Sequence, residues 1–238
     1  MSKAETEIQK LIHANRILAE HGVLDAYGHV SIRHPSRPDC FLMACSRSPE
    51  FVTENDILEF DLNCNPVNPE TRPLYGERPI HGSIYAARPD VQAVIHNHAP
   101  EILPYSVNRS MRLRPLIHSA ACMGTTIPVW DIRLKFGDTN MLVLNLEQGR
   151  DLANCLGSNA MVLMRGHGST IVGRRIEDAV MVAIYACLNA RIQMAASQSG
   201  SLPQFLTEGE IELTREVFYS EISINRAWDY WVRKSNIR

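Results

Sequence analysis

Two histidines one residue apart, His96-Asn97-His98, close an apolar run that begins at Val94. On a strand, positions i and i+2 project to the same side, so both imidazoles can reach one point. Neutral imidazole is the commonest side-chain metal ligand, and such a pair can fill two positions on one ion. An isolated pair of this kind also arises when one histidine closes a strand and the other meets solvent. A second signal shifts the balance: Met164-Arg165-Gly166-His167-Gly168-Ser169 follows another apolar run. Glycines on both sides of His167 permit a tight approach of backbone and unusual dihedrals. Three histidines with open positions left over make a reactive metal centre. Glu77, in Tyr75-Gly76-Glu77-Arg78-Pro79, falls at the start of an expected helix. A carboxylate there is favoured by the helix dipole and could move a proton beside a metal, although glutamates in a first helical turn are often only solvated caps.

These residues need a scaffold. Ile8, Leu11, Ile12, Asn15, Ile17 and Leu18 are spaced for a helix over 3–21, ending at His21-Gly22. Strands are expected over 28–33, closed by Pro35, then over 41–44 and 57–62, separated by the polar loop 46–49. A helix over 79–88 ends at Pro89-Asp90, and a strand over 91–96 follows. Residues 142–144 and 160–164 read as further apolar strands. Residues 176–196 form a long alanine-rich helix that is apolar nearly all round, hence buried in the core or between subunits. Thr207 and Glu210 make a capping box for a later helix, and Trp228, Tyr230 and Trp231 lie on a last one. Strands alternate with helices and no repeat or linker is visible. The chain therefore reads as one α/β domain over residues 1–238.

Composition sets outer bounds. With 238 residues, 45% hydrophobic and 21% charged, the chain can bury a full core. A net charge of -2 gives no support for nucleic-acid binding, and no apolar run suggests a membrane partner. The polar start, Met1-Ser2-Lys3-Ala4-Glu5, shows no signal peptide. Six cysteines, Cys40, Cys45, Cys64, Cys122, Cys155 and Cys187, include no CxxC pair, as expected of reduced thiols in a cytoplasmic protein.

In order along the chain, Gly28-His29-Val30-Ser31-Ile32-Arg33, Glu77, Ser83-Ile84-Tyr85-Ala86-Ala87-Arg88-Pro89-Asp90-Val91, His96-Asn97-His98 and Gly166-His167-Gly168 resemble the class II aldolase/adducin family. The resemblance runs from about residue 8 to 196. It implies a three-layer α/β/α sandwich around a mainly antiparallel sheet. It also implies one divalent ion per chain on His96, His98 and His167, with Glu77 as the proton carrier. Members are commonly homotetramers with sites at subunit interfaces. Three neutral imidazoles suit manganese, zinc, cobalt or iron.

The sequence departs from the sugar-phosphate members of that family. They carry a Ser-Ser pair before the acid, a Gly-Asn in the early strand and a Tyr after the histidine matched by His118. This chain has Tyr75-Gly76, His29 and Ser119 at those places. The phosphate-holding groups are replaced by a basic and aromatic set, His29, Arg47, Tyr75, Arg78, His118 and Arg165. Arginine grips carboxylates in a two-bonded fork, although any one of these could serve a surface ion pair instead. The pattern is similar to the branch that decarboxylates hydroxylated aromatic dicarboxylates, such as hydroxy-methylpyridine dicarboxylate and dihydroxyphthalate. The expected function is therefore metal-dependent, non-oxidative decarboxylation of a small aromatic acid. In that reading Glu77 is the proton donor, its pKa raised in a poorly hydrated site. The alternatives are an aldolase or epimerase on a hydroxy-carbonyl substrate, and a non-catalytic binding module like the adducin heads.

Overall fold

The computed structural model describes residues 3–198, 200 and 203–235, so Met1 and Ser2 of the polar start lie outside the described residues. The elements run α1 (Lys3–Glu20), β1 (His29–Arg33), β2 (Cys40–Ala44), β3 (Ile57–Asp61), α2 (Arg78–Ala87), β4 (Ala93–Asn97) and α3 (Leu103–Val107). They continue with β5 (Val129–Trp130), α4 (Arg133–Phe136), α5 (Leu146–Leu156), β6 (Met161–Met164), β7 (Gly168–Gly173), α6 (Ile176–Ser197), α7 (Glu208–Phe218) and α8 (Glu221–Ser235). The strands form one seven-stranded sheet in the order β3-β2-β1-β4-β7-β6-β5. Every pairing is antiparallel except β5 with β6, and helices cover both faces. This is the expected α/β/α sandwich.

Side-chain alternation builds the two layers of core. On one face Val30, Ile32, Leu42, Ala93, Ile95, Met161, Leu163 and Ile171 meet α1, α6 and α8. On the other, Phe41, Met43, Phe60, Val94, Val162, Met164 and Val172 meet α2 and α5. Each fully buried side chain of this size contributes about 1.5–3 kcal/mol relative to exposure. Because the period is two, His29 and Ser31 of β1 share the α2 face with Val94 and His96 of β4, and the register pairs His29 with His96.

The helix over 3–21, the strands near 28, 41, 57, 91 and 160, and the capping box at Thr207 and Glu210 are all present. Three differences bear on function. Residues 142–144 form no strand: β5 already occupies the sheet edge beside β6, and this stretch crosses over Glu77, with Val143 fully buried. β7, a central strand, is hidden in the sequence by the glycines at its two ends. α5 follows residues 142–144 directly, capped by Asn145, whose side chain accepts from the Gln148 amide. All six cysteines are free thiols, five of them buried. α6 is long and apolar enough to cross a membrane, yet it lies in the core. Its buried Asn189 and Gln193 bind the backbone of the segment 112–117, and its Glu177 pairs with Lys10 at 2.9 Å.

Candidate metal centre

His96 is the fourth residue of β4, at the middle of the sheet, and is fully buried. Its Nδ1 lies 3.1 Å from the Ser169 carbonyl, which can only accept, so the proton is on Nδ1 and the Nε2 lone pair points away from it. His98 follows one residue after the strand. Asn97, on the opposite face, fastens the chain there: its Nδ2 donates to Ser169 Oγ at 2.9 Å, and its Oδ1 accepts from the Ala99 amide at 3.2 Å. His167 occupies the three-residue turn of the β6–β7 hairpin, between paired Met164 and Gly168. Gly166 supplies the positive φ, +64°, that such a turn requires. Gly168 is equally specific: a Cβ there would collide with the Asn97 carbonyl oxygen.

Glu77 stands at the N-cap of α2 but caps nothing with its side chain. The carboxylate turns inward instead. Its Oε1 accepts from the Val143 amide at 2.9 Å, and its Oε2 lies 3.5 Å from His96 Nε2 and 3.6 Å from His167 Nε2. His98 Nε2 is 2.9 Å from His96 Nε2 and 3.1 Å from His167 Nε2. Ligand atoms of Glu77, His96, His98 and His167 therefore all fall within 4.8 Å of one another. A four-coordinate ion with bonds of about 2.0–2.1 Å sets its ligand atoms roughly 3.3 Å apart. The cluster has that spacing, and converging lone pairs repel unless a cation lies between them. The residues fit a divalent ion.

The protonation states agree. Burial holds His98 down, to about 4, helped by His96 and His167 and opposed by Glu77 and Asp25. His167 is lowered too, first by burial and then by His96, with Glu77 and the Met141 backbone opposing. Glu77 departs from the expected raised pKa. Burial does push it upward, but the close approach of His96 and His167 and the bond from the Val143 amide outweigh this and hold it low, at about 2. Glu77 is thus a resting carboxylate, able to take a proton before it gives one.

The remaining nominated residues divide. His29 and Tyr75 join the site's edge: the His29 ring centroid is 5.0 Å from His96 and 4.8 Å from Tyr75, and the Tyr75 hydroxyl donates to the Arg47 carbonyl. Arg47 itself turns to Asp56, with Nε and Nη2 at 3.3 and 3.2 Å from one oxygen. Arg78 is committed to backbone, donating to the carbonyls of Cys64 and Tyr75. Arg165 pairs through Nε with Asp131 at 2.7 Å, and that contact occupies one corner of its fork. His118 begins a 3-10 turn, His118–Met123, is exposed, and among the described residues shares no ring contact or hydrogen bond with the cluster. Sequence reasoning missed His81, Ser31 and Tyr85, which form a buried line behind His29. The signal was legible: Ser31 follows His29 by two on a strand, and Tyr85 follows His81 by four on a helix.

The fold is thus a three-layer sandwich with a cluster of three histidines and one carboxylate, able to hold a metal ion, at the end of its middle strand. Residues 9–194 match the family described as Class II Aldolase and Adducin N-terminal domain, and the chain belongs to that family. It is 36% identical to Decarboxylase tropJ of Talaromyces stipitatus, over 97% of this chain and 94% of that protein. It is 27% identical to a 3,4-dihydroxyphthalate decarboxylase of Arthrobacter keyseri, over 83% of this chain and 82% of the relative. Among solved structures, an L-fuculose 1-phosphate aldolase of Glaciozyma antarctica superposes with a TM-score of 0.79 at 20% identity, covering 98% of this chain and 89% of its own. That likeness concerns the fold. Family and relatives together make the chain a carbon–carbon lyase.

Proposed function

We propose that this chain is a divalent-metal-dependent, non-oxidative decarboxylase acting on a hydroxylated aromatic dicarboxylate of the dihydroxyphthalate or hydroxypyridine-dicarboxylate type. The observation that carries the reading is the intact cluster of three imidazoles and Glu77 in a chain whose 36%-identical relative is a decarboxylase. His96, His98 and His167 would hold one ion, which when bound polarises the substrate oxygens and stabilises negative charge left beside the broken bond. Manganese, zinc, cobalt and iron all suit such ligands.

The protein's own part follows from the state of Glu77. As a carboxylate it accepts the ring hydroxyl proton when substrate seats. Glu77 returns that proton to the ring carbon bearing the adjacent carboxylate, which leaves a ring ketone beside it. The carbon–carbon bond then breaks, its electron pair restores the aromatic ring and settles on the ring oxygen, and CO₂ leaves. A proton from water restores the hydroxyl on release. Val143 keeps the second carboxylate oxygen of Glu77 fixed throughout. Tyr75 over His29 gives an apolar wall for a ring where a phosphate cradle would need hydroxyls. Among the arginines, Arg165 is best able to grip a carboxylate, because among the described residues it is paired at Nε alone and it lies two residues from His167.

In this reading the chain works as a single domain in the cytoplasm, assembled as a homotetramer with sites near subunit contacts. The deciding experiment offers manganese- and zinc-loaded protein a panel of hydroxy-phthalates, hydroxypyridine dicarboxylates, and fuculose and rhamnulose phosphates. CO₂ release from an aromatic acid with adjacent hydroxyl and carboxylate groups is expected. Retro-aldol cleavage of a sugar phosphate with no CO₂ from any acid would replace this reading with the aldolase one.

A further inference from the structure

Four polar side chains on the α2 face form an unbroken line that ends beside the metal centre. The Tyr85 hydroxyl is 2.8 Å from Ser31 Oγ, Ser31 Oγ is 2.6 Å from His81 Nδ1, and His81 Nε2 is 2.7 Å from His29 Nδ1. Ser31 and His81 are fully enclosed, Tyr85 nearly so, and His29 is 5% exposed. The ring of Phe41 lies parallel to His81 at 6.3 Å, and the Arg33 guanidinium sits 4.8 Å above the Tyr85 ring. Arg33 spends its own donors on the carbonyls of Val91, Pro38, Tyr85 and Arg88, so it closes the buried end of the line.

Such a line can run in two directions, and its buried end selects one. Among the described residues the Tyr85 hydroxyl has no hydrogen-bond acceptor other than Ser31 Oγ. Run backwards, the line would leave a buried phenol proton with nothing to receive it, which is costly. Tyr85 therefore donates to Ser31, and Ser31 donates to His81 Nδ1. Burial keeps His81 neutral, pushing it down to about 3, so its single proton sits on Nε2 and is donated to His29 Nδ1. His29 must then carry its own proton on Nε2. Among the described residues that nitrogen has no hydrogen-bond partner, and its ring lies against His96 and Tyr75.

We propose that Tyr85, Ser31 and His81 are positioning residues that lock His29 as the Nε2–H tautomer. In that form His29 donates a hydrogen bond to a substrate carboxylate beside the metal, and cannot become a fourth imidazole ligand. A ligating nitrogen needs a free lone pair, and the line removes it. This accounts for a fourth histidine lying so close to a cluster that does not include it. The carboxylate half of the inference rests on the decarboxylase reading. The tautomer half does not.

The test has two arms. In zinc-loaded protein carrying ¹⁵N-labelled histidine, two-bond proton–nitrogen correlations should show His29 as the Nε2–H form. Tyr85→Phe, which should leave the fold intact, should lose that preference. A wild-type His29 protonated on Nδ1 would overturn the proposal. In the second arm, calorimetry compares 3,4-dihydroxyphthalate with 3,4-dihydroxybenzoate. His81→Leu should weaken the dicarboxylate tenfold or more and leave the monocarboxylate unchanged. His81→Gln, whose amide can still donate to His29, should recover much of the loss. Equal weakening of both acids, or equal affinity for both in the wild type, would overturn the carboxylate assignment. Tight dicarboxylate binding without CO₂ release would instead sink the decarboxylase reading while the tautomer result stood.

Discussion

Neutral imidazoles and one carboxylate share a space in which each would repel the next without a cation, and this gives each ligand a sharp expected phenotype. His98→Ala should lower bound divalent ion from about one per chain to near zero by elemental analysis, while circular dichroism stays that of a folded protein. Full metal content and turnover in that variant would remove His98 from the centre. Glu77→Gln keeps the acceptor for Val143 but cannot carry a proton, so turnover should fall by roughly 10²–10⁴, the usual scale of acid–base catalysis. Metal content should remain measurable, and wild-type kcat would dismiss Glu77 from proton transfer. His81 adds a stability signature. Its folded pKa, about 3, lies below the ordinary 6.5, so below pH 6.5 the unfolded chain binds a proton that the folded chain refuses. Stability should therefore fall as pH drops from 6.5 toward 3, by up to about 1.4 kcal/mol per pH unit from this group. Urea midpoints of metal-free protein at pH 7 and 5 should show a flatter decline for His81→Gln.

At the scale of elements, the centre depends on how closely β4 and β7 approach. Gly168 faces the Asn97 carbonyl with no room for a methyl group, whereas Gly209 on α7 has nothing within 4 Å. Gly168→Ala should cost about 1–3 kcal/mol and reduce metal affinity, since it spreads His98 from His167. Gly209→Ala should leave the metal untouched. Equal effects of the two on metal content would show that the hairpin does not set the geometry. At this scale helices were legible because propensity, capping and spacing are local. β7 was not, because glycines that make it fit are the residues that disguise a strand. Residues 142–144 look like a strand on side-chain type alone, yet Val143 is held by Glu77, a residue 66 positions away.

For the whole molecule, a group of exposed apolar residues lies on the last two helices. Leu213 and Val217 lie one turn apart on α7, and Ile222 and Tyr230 lie about two turns apart on α8, all at least 60% exposed. A monomer has little reason to keep four such side chains on neighbouring helices in water. Light scattering should give a particle of four 26.8 kDa chains, and Leu213→Glu with Val217→Glu should break it down. An active monomer at micromolar concentration would contradict the tetramer. α6, by contrast, is satisfied within the chain: its apolar surface meets the sheet and α1, and its polar residues have partners.

The sequence by itself determined which residues make the candidate metal-binding set. His96 and His98 are bound to face one side by the two-residue period of a strand, and His167 declares itself by the glycines that its turn requires. The helix-start position of Glu77 was equally local. Tertiary structure alone decided what the other charges do. Arg47, Arg78 and Arg165 are alike in type and all near motifs, but Asp56, the Cys64 carbonyl and Asp131 had first claim on them. It also decided the charge of Glu77, where burial competes with the Val143 amide and the neighbouring histidines and only the folded arrangement shows which prevails. Periodicity tells which way a side chain points. What waits there is set by the rest of the chain folding back on it.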